Sequence, residues 1–360
     1  MSLPSHGANP HYFVQAMGLL LPEHAIDFSE NVNPLGIPQV VRDRWNQYIE
    51  AITTYPDPHA SQLREKLAND LNVSIDQLIV GNGAAELILL IANYFRKKRV
   101  LIVEPTFSEY RDACLTYDCE IIRYQLLQES SWDIQVESLL EAINGVDILF
   151  LCHPNNPTGT TIERSTLIQV FSRAREKNVT VIIDEAFYDF CTENVSVIPY
   201  IEEFHNLVVL RSLTKMYAIP SLRLGYVVAR KEFVSELKKF QQPWSVNGMA
   251  QQVGLDCISD EEHAIDTKTF IRAERKRMFK LLSDIGYEVS PSVVNFYLLK
   301  PKGTNDDLTP LITFLIQNGV IPRHTYNFLG LEGKYIRLAI KTRQDNDLLF
   351  SVLERWSQRP

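Results

Sequence analysis

Seven short apolar runs rich in β-branched residues alternate with segments of helical period through the middle of the chain. The runs are Gln77–Val80, Val100–Val103, Glu120–Tyr124, Ile148–Cys152, Thr180–Ile183, Leu207–Leu210 and Gly225–Ala229. Between them lie helix candidates at Ala84–Tyr94, Ser108–Tyr117, Val136–Ala142 and Arg164–Lys177. Several runs are apolar on both faces, a pattern a strand tolerates when helices cover both sides of its sheet. The alternation predicts a doubly wound α/β domain around a mostly parallel seven-stranded sheet.

That rhythm stops after about residue 235, and the polar-amphipathic stretch Val246 to Ile285 predicts extended helix leading away from the sheet. Beyond it, Tyr287–Val289, Asn295–Leu299, a helix near Leu308–Asn318 and the alternating strand Tyr335–Ile340 form an α+β pattern. Pro4, Pro10, Pro22 and Pro34 make the start of the chain read as an irregular arm. The expected organisation is an arm over 1–35, a large α/β domain over 36–245 and a smaller α+β domain over 246–360.

Charge narrows the partners. With 36 Lys+Arg against 44 Asp+Glu the net charge is −8, so the chain has no basic footprint for nucleic acid. The longest apolar candidate, Leu87 to Ala92, is far too short to span a membrane. The start lacks the charged and apolar regions of a secretory signal, and cytoplasm is the expected location. Five cysteines without a CxxC read as reduced structural thiols, and the eight histidines are scattered without ligand spacing, so no metal is expected. A small-molecule partner is the default.

The chemistry-bearing residues fall at strand ends. Arg211–Gly225 follows the run Leu207–Leu210 and carries Ser212, Thr214, Lys215 and Arg223 where open α/β sheets bind ligands. Hydroxyls and cations there suit a phosphate beside a reactive lysine, although a solvated loop reads the same way alone. Asn156, in His153–Gly159, follows Ile148–Cys152; Pro157 and Gly159 fix a turn there that either aims Asn156 into a site as a neutral donor or is a plain turn. Asp184 follows Thr180–Ile183; it reads either as a helix N-cap or as a carboxylate in need of a cationic partner such as a protonated pyridine nitrogen. Gly81–Glu86 leaves a strand and opens a helix, exposing N–H groups to an anion. Phe107, in Glu104–Tyr110, offers an aromatic face at the same rim, or a core side chain.

In this order, cradle, aromatic platform, Asn, Asp and Ser-x-x-Lys-x7-Arg, the motifs resemble the fold-type I pyridoxal-phosphate (PLP) enzymes of the aspartate aminotransferase superfamily, over nearly the whole chain. The resemblance implies that Lys215 binds the cofactor covalently and shuttles protons at the substrate Cα, and that Asp184 keeps the ring nitrogen protonated. It implies Asn156 at the ring 3′-oxygen, Phe107 stacked on the ring, and the phosphate held by Gly83, Ala84, Ala85, Ser212 and Arg223. Tyr55 matches the position that reaches a partner subunit's cofactor phosphate, which implies a homodimer with shared sites.

Finer likeness lies in Ser5–Asn9, Asp27–Gly36, Leu210–Tyr226, Gln242–Asn247 and Ile321–Arg323. These stretches look like the L-threonine-O-3-phosphate decarboxylases, which supply an aminopropanol phosphate for cobalamin; the histidinol-phosphate aminotransferases are the near alternative. The aminotransferases usually carry Asp-Glu-Ala-Tyr, whereas this chain has Phe187 and so no hydroxyl there. The resemblance implies a phosphorylated amino-acid substrate gripped by His6, Asn33, Arg323 and Arg337, with Arg343 a further phosphate contact. A PLP-binding regulator would need a DNA-reading element, and none is present in the sequence.

Overall fold

The computed structural model describes residues 3–4, 6–304 and 306–359. Ser5 of the Ser5–Asn9 stretch lies outside the described residues. The strands, in chain order, are β1 (Ile26–Asp27), β2 (Leu78–Asn82), β3 (Arg99–Glu104), β4 (Glu120–Gln125), β5 (Ile148–Cys152), β6 (Thr180–Asp184), β7 (Leu207–Ser212), β8 (Leu224–Ala229), β9 (Tyr287–Val289), β10 (Phe296–Pro301), β11 (Val320–Ile321), β12 (Arg323–His324) and β13 (Ile336–Ala339).

A seven-stranded sheet runs in the order β2-β8-β7-β6-β5-β3-β4. Pairing is parallel from β7 through β6, β5 and β3 to β4, while β8 runs against both of its neighbours. Its inner strands are apolar on both faces because alternate residues serve two cores, whereas the edge strand β4 is part-exposed along its length. Leu149, Leu151, Val181, Ile183 and Val209 join one cluster, and Ile148, Phe150, Ile182, Val208 and Leu210 join the other.

Register explains where chemistry gathers. Cys152 pairs with Asp184 and Asp184 with Leu210, so the segments leaving β5, β6 and β7 emerge side by side. Because β8 is reversed, its first residues meet the same rim: Gly225 pairs with Ser212 and with Gly81, and Leu224 with Asn82. Arg223, just before β8, is thereby delivered beside the opening of the helix Gly83–Tyr94.

A four-stranded sheet, β12-β13-β10-β9, makes up the smaller α+β part. All of its pairings are antiparallel, and Arg323 pairs directly with Arg337. The stretch expected as one extended helix is two, Gly248–Ser259 and Glu261–Asp284. Asn247 caps the first by accepting from the Ala250 N–H, and Asp260 caps the second by accepting from the His263 N–H. The first of these helices packs against Ser61–Leu71 and β8.

The N-terminal segment is more ordered than its prolines predict. Pro10 lies in the first turn of a helix, Pro10–Ala16, that buries Phe13 and Val14; proline there lacks only an N–H that would be unbonded anyway. β1 then pairs in parallel with β11, and Phe28 accepts from the Ala339 N–H, tying this segment to the small sheet. All five cysteines are buried and unpaired. No helix among the described residues is long and apolar enough to cross a membrane.

Candidate active site

A cavity opens where the C-terminal rim of the large sheet faces the small sheet and the segment Ser29–Asn31. At its floor Asp184 is 3% exposed, with Oδ2 accepting from the Tyr110 hydroxyl at 2.6 Å and Oδ1 from the Ala186 N–H at 2.8 Å. Burial pushes its carboxyl up to about 6, against the two hydrogen bonds that favour the charge. Among the described residues no cation pairs with it, which leaves a buried carboxylate in want of a positive partner.

Lys215 lines the same cavity. Burial lowers its amine to about 8, with Arg223 and Arg337 adding to the depression and Glu30 opposing it. A buried lysine with a lowered amine can act as a nucleophile or proton carrier near neutral pH.

The cradle at the other end is shaped by what Gly83 lacks. Gly83 has φ +80°, and a Cβ there would lie 2.6 Å from Arg223 Nη2. The guanidinium therefore sits against the helix opening, with Ala84 and Ala85 in the cavity wall. Ser212 and Thr214 add paired hydroxyls, Oγ to Oγ1 2.8 Å apart, and Arg223 Nη1 donates to the Pro220 carbonyl. A helix N-terminus, two hydroxyls and a guanidinium form an anion site of phosphate character.

Phe107 forms a side wall, edge-on to Tyr110 at 5.8 Å, and Tyr110 stacks on Phe150 at 5.1 Å. His6 approaches Phe107 at 6.2 Å and is paired through Nε2 with Glu109 Oε1 at 2.9 Å. Opposite stand Arg323 and Arg337, 3% and 6% exposed. Arg337 Nη1 donates to Asn156 Oδ1 at 2.5 Å and Nη2 to the Ser29 carbonyl at 2.8 Å, while its Nε is buried without a partner among the described residues. Burial lowers Arg323 to about 10 and Arg337 to about 9, Arg337 being pushed further by Arg323 and opposed by Asp27. Like charges directly opposite on paired strands repel, so this pair is poised for an anion.

Eleven of the expected residues thus line one cavity: His6, Ala84, Ala85, Phe107, Asn156, Asp184, Ser212, Lys215, Arg223, Arg323 and Arg337. Gly83 supports it from behind. Asn33 does not line it: Nδ2 donates to the Met216 carbonyl at 2.8 Å and to Thr267 Oγ1 at 2.7 Å, and Oδ1 accepts from the Leu35 N–H. Its neighbour Asn31 lines the cavity instead, with Oδ1 buried and unpartnered among the described residues. Two asparagines at i and i+2 gave no sequence signal for choosing between them. Tyr55 is 83% exposed and packs on Trp244 at 5.0 Å, away from this cavity. Arg343 is exposed at the start of the helix Arg343–Ser357.

Sequence reasoning also passed over Glu30, Tyr110 and Phe328 in the cavity wall. Tyr110 alone had a signal, since it follows Phe107 by three residues, one helical turn. Phe187 lines the cavity and meets Phe296 edge-on at 4.7 Å. Tyr188 turns away, its ring under the Arg211 guanidinium at 3.9 Å, so its hydroxyl does not take the place that Phe187 leaves bare.

A fold with a buried lysine, a buried carboxylate without a cation among the described residues, an aromatic wall and an anion-binding cradle at one sheet rim suits an α/β enzyme built around a phosphorylated aromatic cofactor. The chain matches the family aminotransferase class I and II over residues 23–353 and belongs to it. It is 34% identical to the threonine-phosphate decarboxylase of Salmonella typhimurium, over 97% of this chain and 95% of that protein. It is 33% identical to the histidinol-phosphate aminotransferase of Caldanaerobacter subterraneus subsp. tengcongensis, over 90% of each. The crystal structure of the histidinol-phosphate aminotransferase from Clostridium acetobutylicum superposes with a TM-score of 0.86 at 30% identity, covering 92% of this chain and 98% of that one.

Proposed function

We propose that the protein decarboxylates O-phospho-L-threonine to (R)-1-amino-2-propanol O-2-phosphate, a step toward cobalamin, with PLP as cofactor. The donor set fits PLP on two counts: Asp184 is a buried carboxylate without a cation, and the missing Cβ of Gly83 leaves a cradle under Arg223. When bound, PLP supplies an electron sink for the pair left at Cα as a bond there breaks. Asp184 would hold the ring nitrogen's proton, Asn156 the 3′-oxygen and Phe107 the ring face. Gly83, Ala84, Ala85, Ser212 and Arg223 would hold the phosphate.

Arg323, Arg337 and His6 would grip the substrate's phosphate and carboxylate, whose combined charge suits two guanidinium groups. Held so, the substrate carboxylate rather than the α-proton would be presented for loss as CO2, and Lys215 Nζ, in its ammonium form, would donate a proton to Cα. Phe187 carries the choice of reaction. Next to Asp184 the cavity presents a bare ring where the resembling aminotransferases usually offer a tyrosine hydroxyl.

The near-equal likeness to a histidinol-phosphate aminotransferase supports transamination as the second reading. One experiment separates them: PLP-loaded protein with O-phospho-L-threonine, beside a second tube with histidinol phosphate and 2-oxoglutarate. Continuing CO2 release without a keto acid is the expected result. Glutamate in the second tube alone would overturn the proposal. A homodimer, with Tyr55 reaching the partner's cofactor phosphate, and a cytoplasmic location belong to the same reading.

A further inference from the structure

Tyr110 is fully buried and holds its place by two ring contacts, the stack on Phe150 at 5.1 Å and the edge contact with Phe107 at 5.8 Å. Neither contact needs a hydroxyl, yet the hydroxyl is present and donates to Asp184 Oδ2 at 2.6 Å. With the Ala186 N–H on Oδ1, each carboxylate oxygen has one donor that comes from the protein. Both donors favour the charged form and fix the plane of the carboxylate, while leaving lone pairs free toward the cavity.

We propose that Tyr110 is a positioning residue that acts through Asp184: its hydroxyl orients the carboxylate and keeps it an acceptor for the protonated ring nitrogen. The proposal rests on the PLP reading above. The physical need comes from the site. Desolvation at the end of β6 favours the neutral acid, and Tyr110 is the largest influence against it. A neutral Asp184 would offer its own O–H to the ring nitrogen and leave that nitrogen without its proton, weakening the sink.

The other titratable groups around Asp184 do not supply this function. Cys152, from β5, shares a hydrogen bond with the Tyr110 hydroxyl, but burial raises its thiol to about 12, so it stays neutral and carries no counter-charge for the ring nitrogen. Glu185 is ion-paired with Arg211 at 2.8 Å and, as a like charge, pushes the Asp184 carboxyl up rather than down. Lys215 lies in the same cavity but makes no ion pair with Asp184 among the described residues. His6, also in the cavity, is paired with Glu109.

The test is Tyr110→Phe, which keeps both ring contacts and removes only the donor. In cofactor-free protein labelled with 13C at aspartate carboxyls, with the Asp184 signal assigned through Asp184→Asn, its titration midpoint should rise by about one unit or more. In the PLP-loaded enzyme the acid limb of the pH profile should move the same way. Near neutral pH kcat should fall by roughly tenfold with KM little changed, recovering as pH rises. In an Asp184→Asn background Tyr110→Phe should add no further loss of PLP affinity, because on this proposal the hydroxyl acts on the cofactor through the carboxylate and its contact with Cys152 does not reach the ring nitrogen.

An unmoved midpoint, a loss of kcat equal at every pH, or an additive loss in the double variant would each overturn the proposal and leave Tyr110 a packing residue. Failure of the wild-type protein to develop a Lys215-dependent visible absorbance with PLP would instead sink the cofactor reading, and the positioning role with it. The carboxyl titration, made without PLP, tells the two failures apart.

Discussion

Arg323 and Arg337 are paired across two strands and buried, with Arg323 Nη2 donating to Asn327 Oδ1 at 2.7 Å, so that the two like charges lie together at the cavity wall. They are not equivalent. Arg337 is tied to Asn156 and the Ser29 carbonyl, so truncating it would disturb the cofactor side as well. Arg323→Ala is expected to raise KM for O-phospho-L-threonine by tenfold or more while changing PLP affinity little, as measured by steady-state kinetics beside a PLP titration; equal loss of both would contradict its assignment to substrate. Lys215 has its own signature. Because burial lowers its amine to about 8, a lysine-directed reagent applied to cofactor-free protein should modify it with a half-maximal rate near that pH, and PLP should protect it. The folded protein then holds fewer protons than the unfolded chain between about pH 8 and about pH 10.5, so this group adds stability as pH rises through that window.

Among elements, the strands were legible because β-branched runs with apolar residues on both faces have few other structures to adopt, and all seven of the large sheet form where the runs lie. Proline misled at the N-terminus, where Pro10 starts a helix rather than preventing one. The break at Asp260 was hidden because Asp-Glu-Glu continues a polar helical pattern while also making an N-cap. Gly83 gives the sharpest test at this scale. Gly83→Val would place a β-branched residue at φ +80° and a Cβ against Arg223, so PLP affinity should fall by at least about tenfold and the melting temperature should drop. Asn33 gives the opposite pattern. It accepts no substrate role from its position, but its N–H donates to the Lys215 carbonyl and its amide to that of Met216. Asn33→Ala should speed hydrogen exchange in the segment after Lys215 and leave KM nearly unchanged; a large rise in KM would restore it to the substrate's side.

On the scale of the molecule, the cofactor motifs were legible because each sits at a strand end and needs only sheet order to meet the others. The far wall was not. Arg337 meets Ser29 across 308 positions of sequence, and no local pattern announces such a closure. An aromatic patch bears on assembly: Tyr55 and Trp244 pack together while both remain exposed, with Ile49 and Ile52 also exposed. Sedimentation is expected to give a dimer, and Tyr55→Ala should weaken PLP retention; a monomer with full PLP retention would remove Tyr55 from the site.

The reversal of β8 has a mechanical result. Lys215 and Arg223 stand on the connection 213–223 between two hydrogen-bonded neighbours, β7 and β8, so the proposed covalent anchor and the proposed phosphate anchor share one loop between paired strands. Both ends of that loop are held by β7 and β8, which are interior strands of the large sheet. On heating, the visible colour of the bound cofactor should therefore persist until the sheet itself melts, the two transitions falling at one temperature.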